Sequence, residues 1–197
     1  MKKAKKINYK PWIITGAIIV VVLILYSFFA GNFNSLVSLN EETDGAWANV
    51  ETQYQRRADL IPNLVSTVKG FAEQEQEVFL GVTEARNQWN NAATSGSQEE
   101  QMAAANGMDS ALSRLLVTVE AYPELKSDAN FLALQDELAG TENRINVART
   151  RYNDAVKSYN KKVKRFPSNI IANMFSFEED TYFEADAGTD VVPDVEF

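Results

Sequence analysis

The chain contains neither cysteine nor histidine. Without cysteine, disulfides and thiolate metal sites are excluded. Without histidine it lacks the commonest general base and the commonest nitrogen ligand for zinc, copper or iron. Positive charge is missing from two stretches. No lysine or arginine occurs between Lys10 and Arg56, and none in the last twenty residues, which hold eight acids. The net charge of −8 argues against nucleic acid as a partner, because binding it needs a basic face that displaces counterions. The patterns G-x-x-x-x-G-K, G-x-S-x-G and H-E-x-x-H are absent as well. No catalytic residue, cofactor, metal site or small-molecule ligand is therefore expected.

What is present begins with WIITGAIIVVVLILYSFFA, Trp12 to Ala30, without a charge. As a helix it rises ~28 Å, close to the ~30 Å hydrocarbon core of a bilayer. Trp12, Tyr26, Phe28 and Phe29 place aromatics near both ends, as interfacial anchors do. A cleavable signal peptide would need small residues spaced A-x-A at its exit, and Phe28 stands where the first should be. An uncleaved anchor is the better reading. Five lysines precede it, so the positive-inside rule keeps the N-terminus cytoplasmic and exports the rest.

Beyond Gly31 the apolar positions recur at three and four, the helical spacing. One run is Phe33, Leu36, Asn40, Thr43, Trp47, Val50, Tyr54, Ala58. A second is Leu64, Val68, Phe71, Val78, Val82, Ala85, Trp89, and a third is Met108, Leu112, Leu115, Val119, Tyr122. The fourth runs from Phe131 through Leu138, Ile145, Tyr152 and Tyr159 to Phe166, about 38 residues or ~57 Å of helix. Pro62 is expected to kink the chain or to join two helices. Residues 92–100, AATSGSQEE, read as a loop followed by a helix start. The expected fold is all-α: a single N-terminal transmembrane helix followed by an up-and-down four-helix bundle of long antiparallel helices. The boundaries are 1–11 for a basic cytoplasmic N-terminus, 12–31 for the anchor, 32–177 for the bundle and 178–197 for an acidic, partly disordered tail, whose apolar Tyr182, Phe183, Val191, Val192 and Phe197 either dangle or dock on the bundle or a partner.

Three constellations invite a site. Arg56, Arg57, Asp59 and Asn63 surround Pro62. They suit an anion site at a broken helix, or more simply an Arg56–Asp59 ion pair that pins a kink. Glu142, Arg144 and Arg149 lie beside a ladder of Asn146, Asn153 and Asn160 at intervals of seven, next to Tyr152 and Tyr159. A polar pocket for ligand sensing or catalysis is one reading. The preferred one is a polar seam that fixes the register between helices. Finally, Lys157, Lys161, Lys162, Lys164 and Arg165 precede the uncharged FPSNIIANMFSF, residues 166–177. Either they are a solvated helix end above an apolar cap, or they form a basic collar on anionic headgroups with the apolar stretch in the interface.

These stretches resemble the LemA family of membrane proteins. RRADLIPNLVSTVKGFAEQE (56–75) and ELAGTENRINVARTRYNDAVKSYNKKVKRFP (137–167) carry the likeness, with YPELK, FLALQDEL, YFEA and the closing VPDVEF in family order. The resemblance implies a bacterial envelope location, one anchor and a helical bundle, without an established activity. Members are often encoded beside membrane-bound stress proteases, which points to envelope maintenance. The expected partners are the lipid bilayer and other envelope or membrane proteins, or further copies of the chain.

Overall fold

The computed structural model describes residues 10–184. Most of the basic N-terminus and residues 185–197 of the acidic tail lie outside the described residues. Six helices and no strand are present among the described residues: α1 (Lys10–Lys69), α2 (Gln76–Ser95), α3 (Gln98–Val119), α4 (Pro123–Lys126), α5 (Ala129–Lys164) and α6 (Ser168–Met174). The chain divides into two compact units, one of Met1–Glu42 and Lys157–Asp180, the other of Thr43–Val156 and Thr181–Phe197.

The larger unit is an up-and-down four-helix bundle. Within it Tyr54 of α1 meets Trp89 of α2, and Ala58 meets Arg86, so these helices are antiparallel. Trp47 bonds Gln101 and Arg57 pairs with Asp109, so α3 runs parallel to α1. Arg56 reaches Glu137 and Trp47 packs on Tyr152, which makes α5 antiparallel to α1. On α1 the buried stripe is Trp47, Val50, Tyr54, Ala58, Ile61, Leu64 and Val68, spaced by three and four. It packs against Phe79, Val82 and Trp89 of α2, Met108, Leu112 and Leu115 of α3, and Phe131, Ile145 and Tyr152 of α5. Burying each such side chain contributes on the order of 1.5–3 kcal/mol before conformational entropy is subtracted.

Pro62 does not interrupt the chain; α1 runs through it to Lys69. The physical reason is a substitute donor. Proline has no N–H for the carbonyl four residues back, that of Ala58. Arg86 Nε donates to that carbonyl at 3.0 Å. The break falls instead at residues 70–75, so Leu64 and Val68 belong to α1, and Phe71 is 41% exposed. Arg86→Met should cost about 1–3 kcal/mol by orphaning a buried carbonyl. The loss should shrink in a Pro62→Ala background, where the restored N–H takes over; urea unfolding of the four variants checks this.

The expected loop at 92–100 contracts to Gly96 and Ser97. Ser97 caps α3 in a capping box with Glu100, whose carboxylate accepts from the Ser97 N–H at 2.7 Å. A Cβ on Gly96 would stand 2.7 Å from the Ala92 carbonyl oxygen, so only glycine permits this two-residue turn. Near α4, the Tyr122 hydroxyl donates to Glu75 at 3.0 Å. That bond, and secondarily burial and the charge of Glu75, raise the Tyr122 pKa above its ordinary value. A raised folded-state pKa means the contact contributes fully below the unfolded value of about 10 and is lost as pH climbs through the folded one. In ultraviolet phenolate titration, Tyr122→Phe should remove one phenol that ionises above the ordinary range.

In the smaller unit α1 carries the apolar run. From Trp12 to Tyr26 every large apolar side chain is more than half exposed, and the helix is long and apolar enough to cross a membrane. Past the run, Leu36 packs with Tyr159 and Val163 of α5 and with Ile171 and Ala172 of α6. Phe166 is 75% exposed and is not the last rung of the α5 core stripe.

Candidate functional site

At the centre of the four-helix unit a short apolar stripe gives way to charge. Arg57 sits one residue before Ala58 on α1, and its side chain is only 4% exposed. Burying a guanidinium is costly unless its donors are matched. Asp109 of α3 and Glu142 of α5 both pair with it. Asp109 is shared: its second oxygen accepts from Arg149 of α5 at 2.5 Å and from the Tyr54 hydroxyl at 2.9 Å. Glu142 also accepts from Asn146 at 3.1 Å, one turn along its own helix. Two arginines and two carboxylates thereby tie three helices at one level, with their charges balanced.

Aromatic rings complete the cluster. The Arg149 guanidinium lies 5.3 Å from the Tyr54 ring centre and 4.2 Å from that of Phe183. Phe183 is stacked on Tyr54 at 6.3 Å with nearly parallel planes, and tilted against Trp47 at 6.0 Å. It belongs to the segment assigned to the tail, yet it is 5% exposed. Side chains of α5 hold it there. Asn153 Nδ2 donates to the Phe183 carbonyl at 3.0 Å, and Asn153 Oδ1 accepts the Phe183 N–H at 2.9 Å. The Tyr152 hydroxyl donates to the Thr181 carbonyl at 2.7 Å and accepts from Gln98 at 3.0 Å. One amide thus satisfies both backbone groups of a residue, as a neighbouring strand would.

In the smaller unit Asn160 treats Asp180 the same way, donating to its carbonyl and accepting its N–H, both at 2.9 Å. The asparagine ladder is therefore not a seam between helices. Asn153 and Asn160 bind the backbone of the chain downstream, and Asn146 serves Glu142. Tyr159 is buried in the core of the smaller unit.

The other expected residues separate. Arg56 pairs with Glu137 at 2.9 Å across the bundle surface and Asp59 accepts from Gln55, so the Arg56–Asp59 pair does not form. Asn63 is exposed on an unbroken helix. Arg144 does not join Glu142 and Arg149; it lines a different groove with Asn49, Gln53, Val147 and Arg151. Of the lysines, Lys162 donates to Asn32 at 3.0 Å and Lys164 pairs with Glu179 at 2.6 Å, while Lys157, Lys161 and Arg165 are exposed. A groove of about 770 Å³ opens beside the cluster, lined by Arg57, Asp109, Arg114, Gln135, Glu142 and Arg149 with Leu112, Leu116 and Leu138. Arg57 Nε is buried with no acceptor among the described residues. Asp109 and Phe183 are the central residues that spacing alone does not point out. Asp109 follows the core residue Met108, which is the only local sign of it.

The class is that of an all-α bundle protein carrying one candidate N-terminal transmembrane helix. The chain belongs to the LemA family, which matches residues 46–197 and so takes in both the charged cluster and the segment that covers it. It is similar to the magnetosome proteins MamQ 2 and MamQ 1 of Paramagnetospirillum magneticum, each 28% identical over 192 residues, covering 84% of this chain and 71% of the relative. It is also similar to protein LemA of Metamycoplasma hominis, 23% identical over 167 residues, covering 85% of this chain and 75% of that one.

Proposed function

We propose that this is a membrane-anchored scaffold of the bacterial cell envelope, acting by contact with other membrane proteins or with further copies of itself, without catalysis. The anchor is residues 12–31, with 1–11 cytoplasmic and the bundle, 32–177, extracytoplasmic. One observation carries the reading. The strongest polar constellation in the bundle is largely consumed internally: both oxygens of Asp109 are occupied, and the terminal guanidinium nitrogens of Arg57 and Arg149 that face carboxylates are paired with them. A general base or nucleophile needs an atom left over for substrate. In-cell crosslinking followed by capture from detergent-solubilised membranes tests the proposal. It should recover a stoichiometric partner or a homo-oligomer, and recovery of monomer alone counts against it.

A second reading rests on the groove beside the cluster and the unmatched Arg57 Nε. It makes the groove a sensor site for a small polar ligand. Glu142→Ala would then abolish a cellular phenotype at unchanged thermal stability. Under the scaffold reading the same variant changes stability modestly and the phenotype only in step with it.

A further inference from the structure

The smaller unit leaves an apolar edge uncovered beside the candidate span. Helix α6 has two faces. Ile171 and Ala172 are buried against Leu36, Tyr159 and Val163. Ile170 and Met174, one turn apart on α6, are 50% and 61% exposed, and Phe166, in the turn before the helix, is 75% exposed. Residues 166–177 carry no charge at all. An apolar edge of this kind, rimmed by lysines, needs a partner.

Two contacts set its level along α1. The Phe175 ring lies 4.8 Å from that of Phe33, centre to centre. Lys162 Nζ donates to Asn32 Oδ1 at 3.0 Å. The apolar run ends at Ala30, before Gly31 and the polar Asn32, so at about 1.5 Å per residue Asn32 and Phe33 stand only ~3 and ~5 Å beyond it. A bilayer of about 40–45 Å with a core of about 30 Å has roughly 5–7 Å of headgroup region on each side. When Trp12–Ala30 fills the core, both contacts fall within that layer. Lys161 and Arg165, both exposed, lie within one turn of Lys162 on the α5 end.

We propose that α6 and the end of α5 form a membrane-surface site for anionic phospholipid. Phe166, Ile170 and Met174 enter the boundary between headgroups and acyl chains, and Lys161 and Arg165 contact the headgroup phosphates. The inference rests on the reading of α1 as a membrane span. Seven residues of helix are too short to hold a bilayer alone, but the span supplies the tether, so the contact is intramolecular in effect. The site would fix the span's exit by a second attachment.

The lack of cysteine makes the test clean, because any single introduced thiol is the only one. The full chain is reconstituted in nanodiscs containing phosphatidylglycerol, with one nitroxide label at Ile170→Cys, Val21→Cys or Val117→Cys. Access to oxygen and to a water-soluble nickel complex then reports depth. The label at 170 should be shielded from nickel several-fold relative to the one at 117, and the label at 21 should be deepest. Lys161→Glu with Arg165→Glu, or discs of purely zwitterionic lipid, should raise nickel access at 170. A label at 170 as accessible as that at 117, with 21 buried, overturns the inference and leaves the span standing. A water-exposed label at 21 overturns both. Equal shielding in zwitterionic discs overturns the choice of anionic lipid.

Discussion

Arg57→Met should lower the unfolding free energy of the bundle by about 3–5 kcal/mol, the usual loss when one member of a buried charge cluster is removed. The variant leaves Asp109 with Arg149 and Tyr54 but deprives it and Glu142 of the guanidinium between them. Glu142→Gln is the contrasting case. Its side chain is 51% exposed, so solvent and Asn146 replace what is lost, and about 0–1 kcal/mol is expected. Arg57→Lys should fall near Arg57→Met, because a single ammonium cannot meet two carboxylates from two helices as a planar fork does. Urea unfolding of the full chain, followed by tryptophan fluorescence, ranks the three. The reporters are well placed, since Trp47 and Trp89 both pack on the aromatic residues that surround the cluster. If Arg57→Met unfolded like the parent and abolished a cellular phenotype, the cluster would be a ligand site and the scaffold reading would fail.

Phe183→Ala should have the second largest effect. Truncating a buried phenylalanine costs about 3–5 kcal/mol when the site cannot collapse. Here the ring also covers Arg149 at 4.2 Å and stacks on Tyr54. The segment has a second option: it can leave. The measured loss therefore stops at the energy of docking, and the excess appears as local opening rather than global unfolding. Two readouts separate these outcomes. Global stability by urea should fall, and limited proteolysis should cut within residues 178–184 much faster than in the parent. Asn153→Leu should accelerate the same cleavage, because it strips both backbone groups of Phe183 of their partner at about 1–3 kcal/mol for each group left buried. Proteolysis unchanged in both variants would mean that the segment is not seated.

Much of this was legible from spacing. Periods of three and four gave the helices, and the α1 stripe from Trp47 to Ala58, Trp89 on α2 and Tyr152 on α5 are core as expected. Of the two expectations at Pro62, a kink or a junction, the junction does not occur, and the cause is specific. Whether a proline ends a helix depends on who satisfies the carbonyl four residues back, and Arg86 is 28 residues away in sequence. No local pattern carries that. The charged cluster was half visible. Residue type marks Arg57, Glu142 and Arg149, but spacing attaches Arg57 to Pro62 and groups Arg144 with the others, because which side of a helix a residue faces is set by its neighbours' packing. Asp109 supplies the other carboxylate, from a helix whose spacing marks only its apolar positions. The asparagine period of seven was plain, and its partner was not. The period suggested another helix, whereas Asn153 and Asn160 bind backbone at Phe183 and Asp180. An amide that recognises backbone leaves no mark on the side chains it binds, so the composition of that segment does not name Asn153 and Asn160 as its partners.

Whether Phe183 closes the cluster in solution is the central question. Amide hydrogen exchange at Phe183 measures this directly, since its N–H is donated to Asn153 Oδ1 at 2.9 Å beneath a buried ring. Strong protection is expected at this amide in the parent chain, lost in Asn153→Leu while the amides of α2 and α3 stay protected. Exchange at the rate of an unstructured peptide in the parent would contradict it, and would mean that the Phe183 ring does not cover Arg149 and Tyr54 in solution.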